Sequence, residues 1–287
     1  MDELLFYRLV AAAFLGVLGL VVGSFLNVCI YRLPNEESVV KPPSHCPKCN
    51  TRLRGPDLVP VLSWLFLRGK CRYCGEKVSA QYAIVELATS ALFMGVFLAS
   101  GDWSPSFATI MDIIFCTALL GAFVADLNTF LLPDEFTIVA CLAAFAREIG
   151  LWITTPEKVT QLITIQTGGA EFQLPVSALG GALLGAVSFW LVGFLATQIF
   201  KKDALGFGDV KLMLALGARV GATWALLAMS LLAVLVGAVL SVALMASGKV
   251  KRDSIIPFGP FLAGAGILMV FLGKEITRVF MQLYGLG

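Results

Sequence analysis

The chain has few charged residues and a single histidine. Only 14% of its 287 residues are Asp, Glu, Lys or Arg, whereas a soluble protein carries about 25%. Together with 58% hydrophobic residues, this shortage indicates a protein that crosses a membrane several times. The lone His45 excludes a multi-histidine metal site and any mechanism that needs a histidine inside the membrane. Hydrolytic chemistry in this chain must therefore use carboxylates, lysine or cysteine.

Long apolar runs predict an all-α polytopic membrane protein with about eight transmembrane helices. A helix needs roughly 20 apolar residues to span a bilayer, and an additional run at 209–221 is shorter than that. The first run carries Asp2 and Glu3 where a signal peptide would be basic, so we interpret it as a retained span. The longer runs lie at about 5–30, 82–100, 108–126, 134–154, 176–199, 223–246 and 256–273.

The distribution of lysine and arginine predicts the orientation of these spans. With eight spans and an outer N-terminus, one side receives fifteen Lys and Arg residues and the other receives six. The richer side should be cytoplasmic, and the polar segment 155–175 should be an outer loop. The fifteen are the nine from Arg32 to Lys77 with Lys201, Lys202, Lys211, Lys249, Lys251 and Arg252. The six are Arg8, Arg147, Lys158, Arg219, Lys274 and Arg278.

Two aspartates lie at the ends of apolar runs, where an ionised carboxylate is unfavourable. Asp126 closes the run at 108–126, and Asp209 opens the run at 209–221. The predicted topology places both at the cytoplasmic membrane face. Two carboxylates in contact share one proton, so the ionised one can activate water while the other protonates an amide leaving group. We therefore predict that Asp126 and Asp209 form a catalytic dyad.

The residues around Asp209 have expected supporting roles. Gly206 and Gly208 lack side chains, which lets the backbone bend before a helix and approach a substrate. Asp209 would then lie at a helix start, where the dipole favours a carboxylate; a simple capped turn is the alternative. Lys211 would support Asp209 or face lipid headgroups. Asp134 is expected to cap the next helix, although it could also reach the site.

Residues 32–81 form the one substantial polar segment, and they contain two Cys-x-x-Cys pairs. Four thiolates at this spacing are typical of a tetrahedral Zn²⁺ site, and the metal would supply folding energy to a small loop domain. A redox pair is the alternative. The segments expected are a first span at 1–31, this cytoplasmic zinc-binding loop domain at 32–81 and a membrane core at 82–287. The four cysteines are Cys46, Cys49, Cys71 and Cys74.

Other features of the spans favour structural roles. Gly180, Gly181 and Gly185 place small residues one turn apart, which suits close helix packing. Asp112 is about 21 Å of helix from Asp126 and cannot join the dyad. We expect Asp112, Arg147 and Glu148, toward the outer ends of their spans, to have interfacial or paired structural roles.

Motifs along nearly the whole chain resemble those of type IV prepilin peptidases and occur in that family's order. The cysteine loop and the aspartates are among them. The remaining segments are Gly23-Ser-Phe-Leu-Asn27 through Arg32-Leu-Pro34, Gln81-Tyr82 with Glu86-Leu87, Leu132-Pro133-Asp134, Gly206-Phe-Gly-Asp209-Val-Lys211 and Ile256-Pro-Phe-Gly-Pro260.

The resemblance implies an aspartic endopeptidase of the inner membrane. Such enzymes remove the basic leader of type IV prepilins or type II secretion pseudopilins after a glycine, and many methylate the new N-terminus with S-adenosylmethionine. Their cytoplasmic loop is associated with methyl transfer, so cofactor contacts are expected near Gly69, Lys70 and Glu86. Glu86 could instead pair with the pilin amine or form a structural salt bridge. A pilin precursor and membrane lipid are the expected partners; nucleic acid is not.

Two other functions remain open from the sequence. One is a Gly-x-Gly-Asp intramembrane protease that cuts helices at mid-membrane, as presenilins do; the zinc loop and the N-terminal motif argue against it. The other is a non-enzymatic membrane assembly protein or transporter with a zinc-stabilised loop. That role predicts that carboxylate-to-amide changes leave pilus assembly or secretion intact.

Overall fold

The computed structural model describes residues 2–155, 162–167, 170–201, 205–248 and 257–285. Some residues used in the charge count and the family motifs lie outside this part of the chain. They are Lys158, Lys202, Lys249, Lys251, Arg252 and Ile256.

The described residues form helices throughout, with one short antiparallel hairpin. The helices are α1 (Asp2–Arg32), α2 (Leu62–Phe66), α3 (Gln81–Ser100), α4 (Phe107–Thr129), α5 (Asp134–Thr154), α6 (Val176–Phe200), α7 (Phe207–Val220), α8 (Trp224–Ala246) and α9 (Gly259–Leu283). Strands β1 (Leu162–Thr167) and β2 (Ala170–Pro175) pair between α5 and α6, with Leu162 opposite Pro175.

Seven of the described helices are long and apolar enough to cross a membrane. They are all the helices except α2 and α7, which is one fewer than the eight spans predicted, and they confirm the predicted helical, multi-pass fold. Helix α7 corresponds to the short eighth run. Its 14 residues span about 21 Å at 1.5 Å per residue, less than the roughly 30 Å of a bilayer core. The hairpin lies within the segment 155–175, which was expected only as a loop.

The chain divides into two compact units, an N-terminal unit (Met1–Thr109) and a C-terminal unit (Ile110–Gly287). In the N-terminal unit α1 packs along α3. A Cβ placed at Gly19 would lie 2.7 Å from Cα of Ser90, and one at Gly23 would lie 2.7 Å from Cα of Glu86. The two backbones can therefore approach this closely only because α1 has glycine at the contact.

Buried polar groups organise the loop between α1 and α3. The guanidinium of Arg32, at the end of α1, donates to the carbonyls of Ser38 at 2.9 Å and Pro42 at 2.7 Å. Further along, the carboxylate of Asp57 accepts from the hydroxyl of Tyr73 at 2.8 Å. A small loop without a large apolar core thus depends on side chains that satisfy its backbone.

Helix α7 is the central element of the C-terminal unit and packs against α5, α6, α8 and α9. Its apolar side chains Leu212, Met213 and Leu216 are completely buried. The burial of these side chains explains how a helix too short to span a bilayer is held: its neighbours, rather than lipid, surround it. Its first turn carries Asp209, so the packing of α7 also places that carboxylate.

The contact between α6 and α7 is made by glycines. A Cβ at Gly181 would lie 2.2 Å from the carbonyl oxygen of Gly217, and one at Gly185 would lie 2.8 Å from that of Met213. Backbones touch here without intervening side chains, which confirms the packing role predicted for Gly181 and Gly185. Gly180 differs, because a Cβ there would meet only Cβ of Ala222 at 3.5 Å.

Replacing Gly181 by alanine should therefore destabilise the protein, whereas the same change at neighbouring Gly180 should not. We expect Gly181→Ala to lower the free energy of unfolding by about 1–3 kcal/mol through overpacking. Gly180→Ala should be neutral or stabilising by up to about 1 kcal/mol, because alanine favours the helix. Thermal unfolding of both variants in detergent measures this, and equal melting temperatures would contradict the glycine contact.

Candidate functional site

Asp126 lies in the penultimate turn of α4 and is buried, with 6% of its surface exposed. The start of α9 approaches it directly: a Cβ at Gly259 would lie 2.5 Å from Oδ2 of Asp126, and the Gly259 backbone forms a hydrogen bond with the carboxylate. Only glycine at 259 allows this approach. The N-terminus of a 25-residue helix is also a favourable place for negative charge.

Asp209 lies in the first turn of α7 and is 9% exposed. As expected, the helix begins beside the Gly-Phe-Gly segment, at Phe207. The bend at Gly206 does not require glycine, because its φ of −68° and ψ of 139° are open to other residues. Close approach of a substrate to Gly206 stays a prediction. At Gly208 the absence of a side chain allows close packing, since a Cβ there would lie 3.1 Å from Cβ of Leu132.

The two carboxylates lie at the same end of the C-terminal unit and interact electrostatically. Leu132, in the turn after α4, lies close to the segments that carry both carboxylates. A Cβ at Gly208 would lie 3.1 Å from its side chain, and a Cβ at Gly259 would lie 2.9 Å from it. The end of α4 and the starts of α7 and α9 therefore converge around one side chain. Such a pair can share a proton and can act on one water molecule.

Lys211 and Asp134 form a pair beside the two carboxylates. The ammonium of Lys211 lies 2.7 and 2.8 Å from the two carboxylate oxygens of Asp134, and it also lies 5.2 Å from the ring centre of Phe207. The expectation that Asp134 caps α5 is wrong: Pro133 is the N-cap residue, and no side-chain capping bond is present. Lys211 is therefore bound to Asp134, and the exposed pair leaves its orientation toward lipid headgroups a prediction.

The four predicted zinc ligands come together in the N-terminal unit. Their sulfur atoms lie within 4.8 Å of one another, and those of Cys46 and Cys74 are 3.9 Å apart. Zinc bound by four sulfurs at about 2.3 Å requires sulfur atoms about 3.8 Å apart. The donor set and its spacing therefore fit a structural zinc ion.

The two cysteine pairs have the same local backbone structure. In each, the residue after the second cysteine has a positive φ (Asn50, 54°; Gly75, 73°) and its N–H donates to the carbonyl of the first cysteine at 2.9 Å. Asparagine and glycine are the residues that accept this conformation. Hydrogen bonds from the side chain and backbone of Thr51 also lower the pKa of Cys49 to about 6, which favours the thiolate that binds metal.

A cavity of about 520 Å³ lies in the N-terminal unit, between the cysteine loop and the ends of α1 and α3. Two of the three predicted cofactor residues, Lys70 and Glu86, line it together with Trp64. Gly69 does not line it; its φ is 66°, and a Cβ there would lie 3.0 Å from the indole of Trp64. Gly69 therefore shapes the turn behind the tryptophan.

Glu86 is buried, and its carboxylate accepts a hydrogen bond from the N–H of Val61 at 2.7 Å. The described residues give it no salt bridge, which was the structural alternative considered above. Val61 has φ of 60° and ψ of −51°, an unfavourable conformation for a β-branched residue. Strained backbone of this kind is often found at functional sites.

Sequence reasoning missed several residues of these sites. Gly259 belongs to a motif that the sequence displays, yet its contact with Asp126 depends on the arrangement of α4 and α9. Leu132 belongs to the Leu-Pro-Asp motif noted in the sequence, but nothing there indicated its place between the two carboxylates. Val61 is an ordinary apolar residue in sequence and gave no signal. A glycine followed directly by proline at a helix start is the one local feature that pointed to 259.

Comparisons with known proteins match most of the chain. Residues 17–100 match the family model of the Bacterial Peptidase A24 N-terminal domain, and residues 113–242 match that of the Type IV leader peptidase family. The four cysteines lie in the first range, and Asp126 and Asp209 lie in the second. No solved structure gave a significant match.

Several curated relatives are similar to the chain over nearly its whole length. It is 35% identical to a prepilin leader peptidase/N-methyltransferase of Xanthomonas campestris pv. campestris, with 94% of each chain covered. It is 38% identical to a protein of the same description from Pectobacterium carotovorum subsp. carotovorum, over 88% of this chain and 90% of the relative. For the protein so described from Aeromonas hydrophila the identity is 34%, with 91% of each chain covered.

The geometry of the cysteine cluster predicts a bound metal that depends on all four thiols. A Cys46→Ser, Cys49→Ser double change removes two soft ligands, so we expect the zinc content of the purified protein to fall from about one ion per chain to near zero. Elemental analysis measures this, with Cys141→Ser in α5 as the control that keeps its zinc. Retention of zinc by the double variant would contradict the assignment.

Proposed function

The chain belongs to the type IV leader peptidase family, and we propose that it is a membrane aspartic endopeptidase that cleaves prepilins or pseudopilins and methylates the new N-terminus. The observation that supports the proposal is that Asp126 and Asp209 are both buried at one end of the C-terminal unit, near enough to interact electrostatically. Membership of a peptidase family removes the non-enzymatic assembly protein or transporter from consideration.

The two carboxylates supply a complete acid–base mechanism for peptide hydrolysis. The ionised carboxylate accepts a proton from a water molecule as its oxygen bonds to the scissile carbonyl carbon. The protonated carboxyl then donates its proton to the leaving nitrogen as the carbon–nitrogen bond breaks. Burial of both side chains suits this division of roles, because two adjacent buried carboxylates resist carrying two charges.

The substrate's own chemistry fits the place of the carboxylates. A prepilin has a basic leader followed by an apolar helix, so its helix can lie in the bilayer while the leader stays among headgroups. The bond after the leader glycine then falls at the membrane interface. We propose that this is the cytoplasmic face of the inner membrane, because the positive-inside rule places both aspartates there.

We assign methyl transfer to the N-terminal unit, with the cavity of about 520 Å³ as the cofactor site. S-adenosylmethionine supplies the methyl group when it is bound. Glu86 would accept hydrogen bonds from its polar groups, Lys70 would pair with its carboxylate, and Trp64 would form an apolar wall. The four cysteines would hold a structural Zn²⁺ that fixes the loop carrying Lys70.

The peptidase assignment predicts that neither aspartate can be replaced by asparagine. The amide keeps the size of the side chain but can neither take nor share a proton, so cleavage should fall at least about 100-fold. Mass spectrometry of a co-expressed prepilin should show a leader loss and an added methyl group with the wild type, and the intact precursor with Asp126→Asn or Asp209→Asn.

Glu135→Gln, an exposed change at the start of α5, is the matched control and should process normally. Normal cleavage by either asparagine variant would contradict the carboxylate mechanism. Cleavage by the wild type without the added methyl group would leave a peptidase alone.

The cofactor assignment predicts a variant that separates the two activities. Glu86→Gln keeps the shape of the side chain but removes its charge, and we expect methylation of an already cleaved pilin to fall about tenfold through the weaker hydrogen bond. Cleavage of the precursor should be unchanged. Transfer of labelled methyl groups measures this, with exposed Glu36→Gln as control; wild-type methylation by the Glu86 variant would contradict the cofactor site.

A further inference from the structure

A partly buried group of charges joins three helices of the C-terminal unit. Asp112 on α4 accepts from Nε of Arg147 on α5 at 3.0 Å and from Nε of Arg219 on α7 at 2.6 Å. Oε2 of Glu148 lies 3.9 Å from a terminal guanidinium nitrogen of Arg147, and Oε1 of Glu148 accepts a hydrogen bond from the hydroxyl of Ser177 at 2.9 Å. Two arginines thus balance two carboxylates, as a buried charge cluster requires.

This cluster lies at the opposite ends of the two helices that carry the candidate catalytic carboxylates. Asp112 precedes Asp126 on α4 by about 21 Å of helix, and Arg219 follows Asp209 on α7 by about 15 Å. Helices α4 and α7 are therefore linked by an attractive ion pair at one end. At the other end they bring together two carboxylates that repel each other when both are ionised.

Apolar packing and two ion pairs hold α7 against its neighbours. Gly181 and Gly217 place the backbones of α6 and α7 in direct contact, and a surface without side chains has no knobs to interlock with its neighbour. The Lys211–Asp134 pair at the start of α7 is exposed, with 39% and 57% of the side chains accessible, and exposed pairs contribute little. The Arg219–Asp112 pair is less exposed, with 17% and 12% of the side chains accessible, and is therefore the stronger directional ion pair of α7.

We propose that Arg219, held by Asp112, is a positioning residue that sets the register of α7 and so places Asp209 against Asp126. The proposal rests on the proposed peptidase function. A displacement of about 1 Å in a catalytic group can reduce a rate about 100-fold, so a small shift of α7 has a large effect on cleavage. A shift of α7 should therefore lower the catalytic rate without weakening the binding of the prepilin helix.

Arg219→Gln is the sharpest test, because Asp112 keeps Arg147 as its partner and no buried carboxylate is left unpaired. We expect kcat for prepilin cleavage to fall about tenfold or more with little change in KM. Arg219→Lys keeps the charge but loses the planar donor group, and we expect a smaller loss of about threefold. Methylation of an already cleaved pilin should stay at the wild-type level in both variants.

Arg278→Gln, an exposed change on α9, is the control and should cleave normally. A lower melting temperature with an unchanged kcat per folded enzyme would mean a purely structural role and would overturn the proposal, as would a rise in KM alone. If Arg219→Gln does not accumulate as folded protein, Arg219→Lys decides: a reduced kcat at constant KM supports the proposal and a wild-type kcat overturns it. Failure of the wild type to cleave would instead contradict the proposed function.

Discussion

The mutual repulsion of two buried carboxylates is the constraint on which the C-terminal unit depends. Asp126 and Asp209 can stay together only if a proton is shared and the surrounding backbone stabilises the remaining charge. The structure supplies the backbone stabilisation at helix ends: Asp209 lies in the first turn of α7, and the start of α9 forms a hydrogen bond with Asp126 through Gly259. Under the proposed function, the same pairing that is unfavourable for the fold would make acid–base hydrolysis possible there.

Close contact between backbones is the second common feature, and it appears in both units. Glycines bring α1 against α3 and α6 against α7, and Gly259 brings the start of α9 to Asp126. In lipid, association of helices depends on such packing rather than on the hydrophobic effect. Glycine surfaces do not specify the orientation of the segments they bring together, and polar contacts do so instead. An example is the carboxylate of Glu86, which accepts a hydrogen bond from the N–H of Val61 and so holds the turn at that residue.

The sequence predicted features that depend on local pattern. The apolar runs correspond to the seven long helices, and the spacing of Cys46, Cys49, Cys71 and Cys74 predicted their cluster. The end-of-span positions of Asp126 and Asp209 predicted that they lie at one end of the unit, where they interact electrostatically. What it missed depends on contacts between distant segments. The cavity, the pairing of Lys211 with Asp134 and the role of Gly259 arise only when helices assemble, because no periodicity or spacing along the chain records them.

The central claim is that Asp126 and Asp209 act as one catalytic unit, and a double-mutant comparison tests it most directly. Single-turnover cleavage of a prepilin would be measured for Asp126→Asn, for Asp209→Asn and for the double variant. Residues that act as a unit are strongly non-additive, so the account predicts that the double variant is no slower than either single one. Losses that multiply in the double variant would show two independent roles and would contradict a shared-proton pair.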